Sequence, residues 1–193
     1  MSELKSGLPV ILFPTRAHFA DWLSRYGPSA KGAWLRFAKQ GSGLASLTKA
    51  EAIDEAICHG WIDGQLNRYD EQSWLIRFTP RTPRSKWSQV NRARAIELIA
   101  EGRMAESGMA QIEAAKADGR WDAAYAPASK AEVPADLQEA LDANTKAAAF
   151  FATLTGANRY AILYRIGAVK LAQTRKRKIA EFVAMLERGE TVH

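Results

Sequence analysis

Arg77, Arg81 and Arg84 stand close together, with Pro80 and Pro83 between them, and Ser85, Ser88 and Asn91 follow at once. Guanidinium forks grip carboxylates and phosphates through paired, charge-assisted hydrogen bonds. Hydroxyls and uncommitted backbone amides at a helix start favour the same anionic guests. In Thr79-Pro80-Arg81 and Pro83-Arg84-Ser85 each proline holds its predecessor in extended backbone, so such a site would sit on a stiff loop. Upstream, Trp61, Asp63 and Gln65 lie in one polar-aromatic run, and Trp61, Trp74 and Trp87 could wall a pocket. The candidate ligand-binding set is therefore Trp61, Asp63, Gln65, Arg77, Thr79, Arg81, Arg84, Ser85, Trp87, Ser88 and Asn91. A second use of the arginines is pairing with Asp63, Asp70 and Glu71 across a hairpin, and the residues alone leave both uses open.

Other chemistry is thinner. Aspartate is disfavoured in strands, so Asp63 should have a specific partner. As a general base it would need a pKa raised by an apolar pocket, which makes it the weak catalytic candidate of a cofactor-independent enzyme. Cys58 and His59 are adjacent, but one cysteine with His18, His59 and His193 does not form a metal-ligand pattern, and neighbouring side chains at a helix end diverge. Cys58 reads as a small core residue and no metal is expected. Gly41-Ser42-Gly43 is too short for a phosphate or dinucleotide loop, and no serine elbow is present, so no cofactor is expected. Asn91 falls within an apolar arc of Trp87, Val90, Ala95, Leu98 and Ile99 on a helix over 86–101. There it should either tie down the 79–85 loop or face a pocket floor, since an unsatisfied buried amide costs about 1–3 kcal/mol.

The elements that must position these groups follow from periodicity. A short strand at 10–13 ends at Pro14, and Thr15 starts a helix with Phe19, Trp22 and Leu23 on one face. Residues 32–38 alternate, with Trp34 and Arg36 opposite Leu35 and Phe37, and read as a strand. Thr48 and Glu51 form a capping box for a helix that Gly60 stops. Residues 61–67 and 73–78 read as an antiparallel pair. Helices follow over 86–101 and 106–118, each ended by glycine. A linker at 126–133 leads to helices opened by Pro134, and the last carries Ile179, Phe182, Val183 and Leu186 at helical spacing. The expected fold class is α+β. A small antiparallel sheet flanked by helices occupies 1–125, and an all-helical region follows over 134–193, packed separately or as one domain with the first.

Charge is concentrated. The 193-residue chain is net +6, yet 77–94 and 165–178 hold twelve cations and no acid, leaving the remainder net acidic. Local basicity points to an anionic partner, or to solvated helix faces. The cations 175–178 at the start of the last helix oppose its dipole at a small cost. One cysteine excludes a disulfide framework. The first residues lack the pattern of a signal peptide, and no apolar run approaches the ~20 residues of a membrane span, so a cytoplasmic location is expected.

Several of these runs carry a family resemblance. Residues 56–64 (AICHGWIDG), 77–81 (RFTPR), 85–91 (SKWSQVN), 101–104 (EGRM) and 119–122 (GRWD) resemble the YdeI/OmpD-associated family, as does 134–179. The resemblance spans nearly the whole chain. It implies a bacterial cytoplasmic protein, linked by name to bacteriocin protection and an outer-membrane porin, with no established reaction, cofactor or catalytic residue. His59, where an aromatic is usual, and Ala105-Glu106, where the family has a Thr-Pro helix start, depart from the pattern. The leading expectation is a non-catalytic bacteriocin- or stress-protection protein that binds an anionic small molecule or protein partner through 77–91. The alternatives are an enzyme using Asp63, and a nucleic-acid-binding protein using the basic windows.

Overall fold

Strand β3 (Ala33–Ala38) shows how the alternating pattern is used. Leu35 and Phe37 enter the core while Trp34 and Arg36 take the other face. The computed structural model, which describes residues 3–169 and 171–193, places β3 at the centre of a five-stranded sheet of order β1-β2-β3-β5-β4. Here β1 is Leu4–Lys5, β2 Leu8–Leu12, β4 Trp61–Arg68 and β5 Ser73–Pro80. The α+β class is as expected, but the sheet is mixed, because β2 and β3 pair in parallel. Helix α1 (Arg16–Tyr26) lies between them and returns the chain to the same end, whereas a hairpin would have reversed it. Strand β1 was not anticipated. Two residues are too few to show alternation, and they are held by a turn in which Ser6 and Gly7 both have positive φ.

Helix α2 (Lys49–Cys58) begins at the full Thr48–Glu51 capping box and packs on the sheet. One face joins Phe19, Leu23, Leu35, Phe37, Ile76 and Phe78 in the sheet-side core. A second core lies on its other side, where Ile57 and Cys58 meet Trp87, Leu98, Ile112 and Trp121 of α3 (Gln89–Ala100), α4 (Glu106–Ala117) and their loops. Glycine makes this approach possible. Gly60 has φ +75°, and a Cβ there would lie 2.8 Å from the Ser107 carbonyl oxygen; one on Gly108 would lie 2.2 Å from the Cys58 carbonyl oxygen.

Two sequence expectations for α3 are corrected. It starts at Gln89 rather than near Lys86, because the Ser88 hydroxyl accepts from the Asn91 N–H and caps it. Trp87 therefore precedes the helix. Of the anticipated apolar arc, Ala95 and Leu98 are the buried residues of the helix, whereas Val90 is 56% exposed and Ile99 37% exposed, so only part of that arc is the packed face.

The chain divides into two compact units, 1–124 and 125–193. The second is all helical: α5 (Ala135–Asp142), α6 (Thr145–Thr153), α7 (Gly156–Gly167) and α8 (Ala172–Glu187), after a short 3-10 turn at Ala128–Lys130. Leu137, Leu141, Phe151, Ile162, Ile166, Ile179, Phe182 and Leu186 form its core. Pro134 is the residue before the first helical position rather than that position itself. Lys170, part of the second basic window, lies outside the described residues. Among the described residues no helix is long and apolar enough to cross a membrane.

Candidate functional site

Beyond β5 the chain turns in at Arg81. Its N–H donates to the Gly60 carbonyl (2.9 Å), which ties the loop to the end of α2. The side chain is 5% exposed, and its guanidinium lies 3.7 Å above the Trp87 ring and donates through Nη1 to the Lys86 carbonyl (3.2 Å). A desolvated cation over an indole is held by the ring quadrupole, worth about 2 kcal/mol. The loop is then closed on itself. The Ser85 hydroxyl accepts from the Thr82 N–H (3.0 Å), and Thr82 Oγ1 accepts from the Arg84 N–H (3.3 Å). Arg120 Nη1 donates to the Ser85 carbonyl (2.9 Å). Ser85 and Ser88 thus already accept backbone donors.

Trp87 is the centre of the arrangement. It is 1% exposed and meets Trp121 edge-on, with ring centroids 4.9 Å apart. Its indole N–H finds no acceptor among the described residues. Cations surround the pair: Arg81 over Trp87, Lys116 near the Trp121 ring (5.9 Å), and Arg92 donating to the Trp121 carbonyl (3.0 Å). Asp118 neutralises Arg120 (2.7 Å) and Glu113 neutralises Lys116 (2.8 Å). Arg84, exposed on the loop, and Arg92, half-buried on α3, have no carboxylate partner among the described residues.

Other arginines are saturated. Arg94 bonds Asp54, Glu97 and Glu101, and Arg103 bonds Glu55 and Glu101. The hydrogen bond from Arg94 holds the Asp54 carboxyl below its ordinary range. Next to this network the Cys58 thiol is pushed up to about 11, chiefly by burial and then by Glu55, so it is a protonated core residue. Burial moves His59 down from its ordinary value. No group of three or more His, Cys, Asp or Glu side chains that could hold a metal ion occurs among the described residues.

The structure brings together only part of the sequence-derived set. Arg81, Ser85, Trp87, Ser88 and Asn91 share the loop and the start of α3, with Arg84 between them. Asn91 is half-buried, and it is its backbone, through the Ser88 cap, that is tied; no side-chain bond to the 79–85 loop is present among the described residues. The rest lie elsewhere. Trp61 is 2% exposed in the sheet-side core, edge-on to Trp22, and Trp74 stacks on Phe37. Asp63 is half-buried opposite Phe78 on the edge strand β4, and Gln65 is exposed at the irregularity that follows it. Arg77 is exposed opposite Trp34, and Thr79 pairs with Ile62. Of the acids considered as partners across the hairpin, Asp70 is taken by Arg36 (2.8 Å). Arg92, Lys116, Arg120 and Trp121 were not among the candidates. Their only signals were the first basic window and an Arg-Trp pair just after a glycine.

Residues 11–111 match the sequence model described as Domain of unknown function (DUF8412). Residues 130–189 match the one described as Bacteriocin-protection, YdeI or OmpD-Associated. The resemblance read along nearly the whole chain is thus matched in its C-terminal part; the motifs at 56–64, 77–81, 85–91 and 101–104 fall within the other model, and 119–122 lies between the two. No curated protein and no solved structure matches the chain.

Proposed function

We propose, for a chain that belongs to the DUF8412 family, that it is a non-catalytic binding protein for an anionic group held at the 81–88 loop and the start of α3. The observation that carries this reading is the charge imbalance there. Arg84 and Arg92 carry no carboxylate partner among the described residues, while Arg36, Arg94 and Arg103 are each bound to one or more acids. An anion with two or more oxygens would complete these guanidinium groups. The C-terminal match, to a model described as bacteriocin-protection, supports a protective role for such binding, and we propose a cytoplasmic location. Protection there would act by sequestering or sensing an anionic molecule.

Pyrophosphate is a suitable probe, measured by titration calorimetry and by tryptophan fluorescence from Trp87 and Trp121. Each of Arg84→Ala and Arg92→Ala should weaken binding about tenfold or more, since a hydrogen bond to a charged group is worth about 1.5–3 kcal/mol. Arg77→Ala should leave it unchanged. If neither pyrophosphate nor citrate binds at millimolar concentration, the reading fails. If oligonucleotides bind with a steep salt dependence while pyrophosphate does not, the site belongs to a nucleic-acid surface instead.

A further inference from the structure

A groove of ≈ 810 Å³ runs along the second unit between α5 and α8. Its floor is Ala140, Ala143, Ile179, Ala180, Val183 and Ala184, and exposed Lys176 and Glu187 stand towards opposite ends of α8. Arg175 is not available at the rim, because it is bound to Asp136 (2.5 Å) and to the Ile166 carbonyl (2.9 Å). Neither Lys176 nor Glu187 has an ion-pair partner among the described residues. The α8 wall of the groove is thus apolar between Lys176 and Glu187, charges of opposite sign without ion-pair partners among the described residues, while the α5 side carries exposed Glu139 and half-buried Asn144.

We infer that the groove is the seat of α8 from a second copy of this chain, in a two-fold symmetric dimer. Lys176 and Glu187 are eleven residues apart. At about 1.5 Å and 100° per residue they lie about 16 Å apart on one stripe of the helix. When a second α8 is laid antiparallel so that Lys176 faces the partner's Glu187, the same register sets Ala180 against the partner's Val183 and Ile179 against the partner's Ala184. Both charges are satisfied twice, and the apolar residues meet across the axis. This self-complementarity is what an isologous contact requires. An unrelated amphipathic helix would have no reason to share it. The alanines allow the two helices to approach at the short end of the usual interaxial range, about 8 Å. A contact built on one helix pair and its flanks falls below the about 1,600 Å² of a standard interface, so a weak, micromolar dimer is expected.

The inference concerns α5 and α8 alone, and pyrophosphate binding at the α3 loop is expected to be the same in every variant below. Sedimentation velocity of the full chain, from low to high micromolar concentration, should show a concentration-dependent dimer. Lys176→Glu and Glu187→Lys should each weaken it at least about fivefold, since each places like charges together at two symmetry-related points. The double exchange should restore it. Ala180→Arg, at an exposed position, should abolish it without loss of helical circular dichroism. A chain that is monomeric throughout overturns the inference. So does a dimer indifferent to Ala180→Arg, or a double exchange no better than the single ones, which would assign the groove to another occupant.

Discussion

Arg81 and Trp87 show how one pair of side chains can look like a binding site and serve first as structure. An arginine and a tryptophan near two prolines suggest an open pocket. In the fold they stack on each other within a core and bind the loop to α2 and α3. Of the charges around them, those on Arg84 and Arg92 have no carboxylate partner among the described residues, and these are the ones the proposed ligand would meet. His59 gives a prediction at this scale. Burial, opposed by the Glu55 carboxylate, lowers its folded-state pKa below the unfolded value near 6.5. The unfolded chain then binds the proton more readily, so the contribution is fully present above about pH 6.5 and is lost as pH falls through the folded-state pKa. Thermal melts should therefore show stability declining from pH 7 towards pH 5, and His59→Asn should flatten that part of the curve. An unchanged slope in the variant would place the effect on another group.

Among the elements, helix starts were the most legible feature and the easiest to misplace. Thr48 and Glu51 specify the start of α2 within four residues, with both bonds of the box formed as the spacing requires. The start of α3 falls later than its sequence suggests, because Trp87 and Val90 continue a helical apolar rhythm while the Ser88 hydroxyl takes the Asn91 N–H and begins the helix at Gln89. Helix α4 has Ala105 at its N-cap, in extended backbone and with no side-chain cap, at a position where the chain departs from the family pattern. Ala105→Ser supplies the missing acceptor and should raise stability by about 1 kcal/mol in urea titration. A neutral or negative change would mean that the first amides of α4 are already satisfied. Strand β1 and the parallel β2–β3 pairing were not legible, the first for its length and the second because strand direction depends on the path of the intervening helix.

At the scale of the whole molecule, two units each carry their own buried core. A unit with its own core can fold alone. Residues 1–124, made as a separate polypeptide, should therefore melt in a single cooperative transition with helix and strand signals intact, while 125–193 should keep a helical spectrum. A fragment 1–124 that binds a hydrophobic dye and melts without cooperativity would show that the two units fold only together.

Most of the α+β class, the helical character of the C-terminal region and the concentration of arginines in 77–94 were determined by the sequence itself. Periodicity, capping chemistry and charge are local properties that a chain cannot hide. The candidate site was legible only as a neighbourhood. Its tryptophans were divided between two cores, its serines were used as loop closures and a cap, and Arg77 was set on a different strand face. Arg92, Lys116, Arg120 and Trp121 came in from α3, α4 and the turn after it. Those outcomes belong to the tertiary structure. Which guanidinium finds a carboxylate, and which does not, depends on distances between residues far apart in the chain, and only packing sets them.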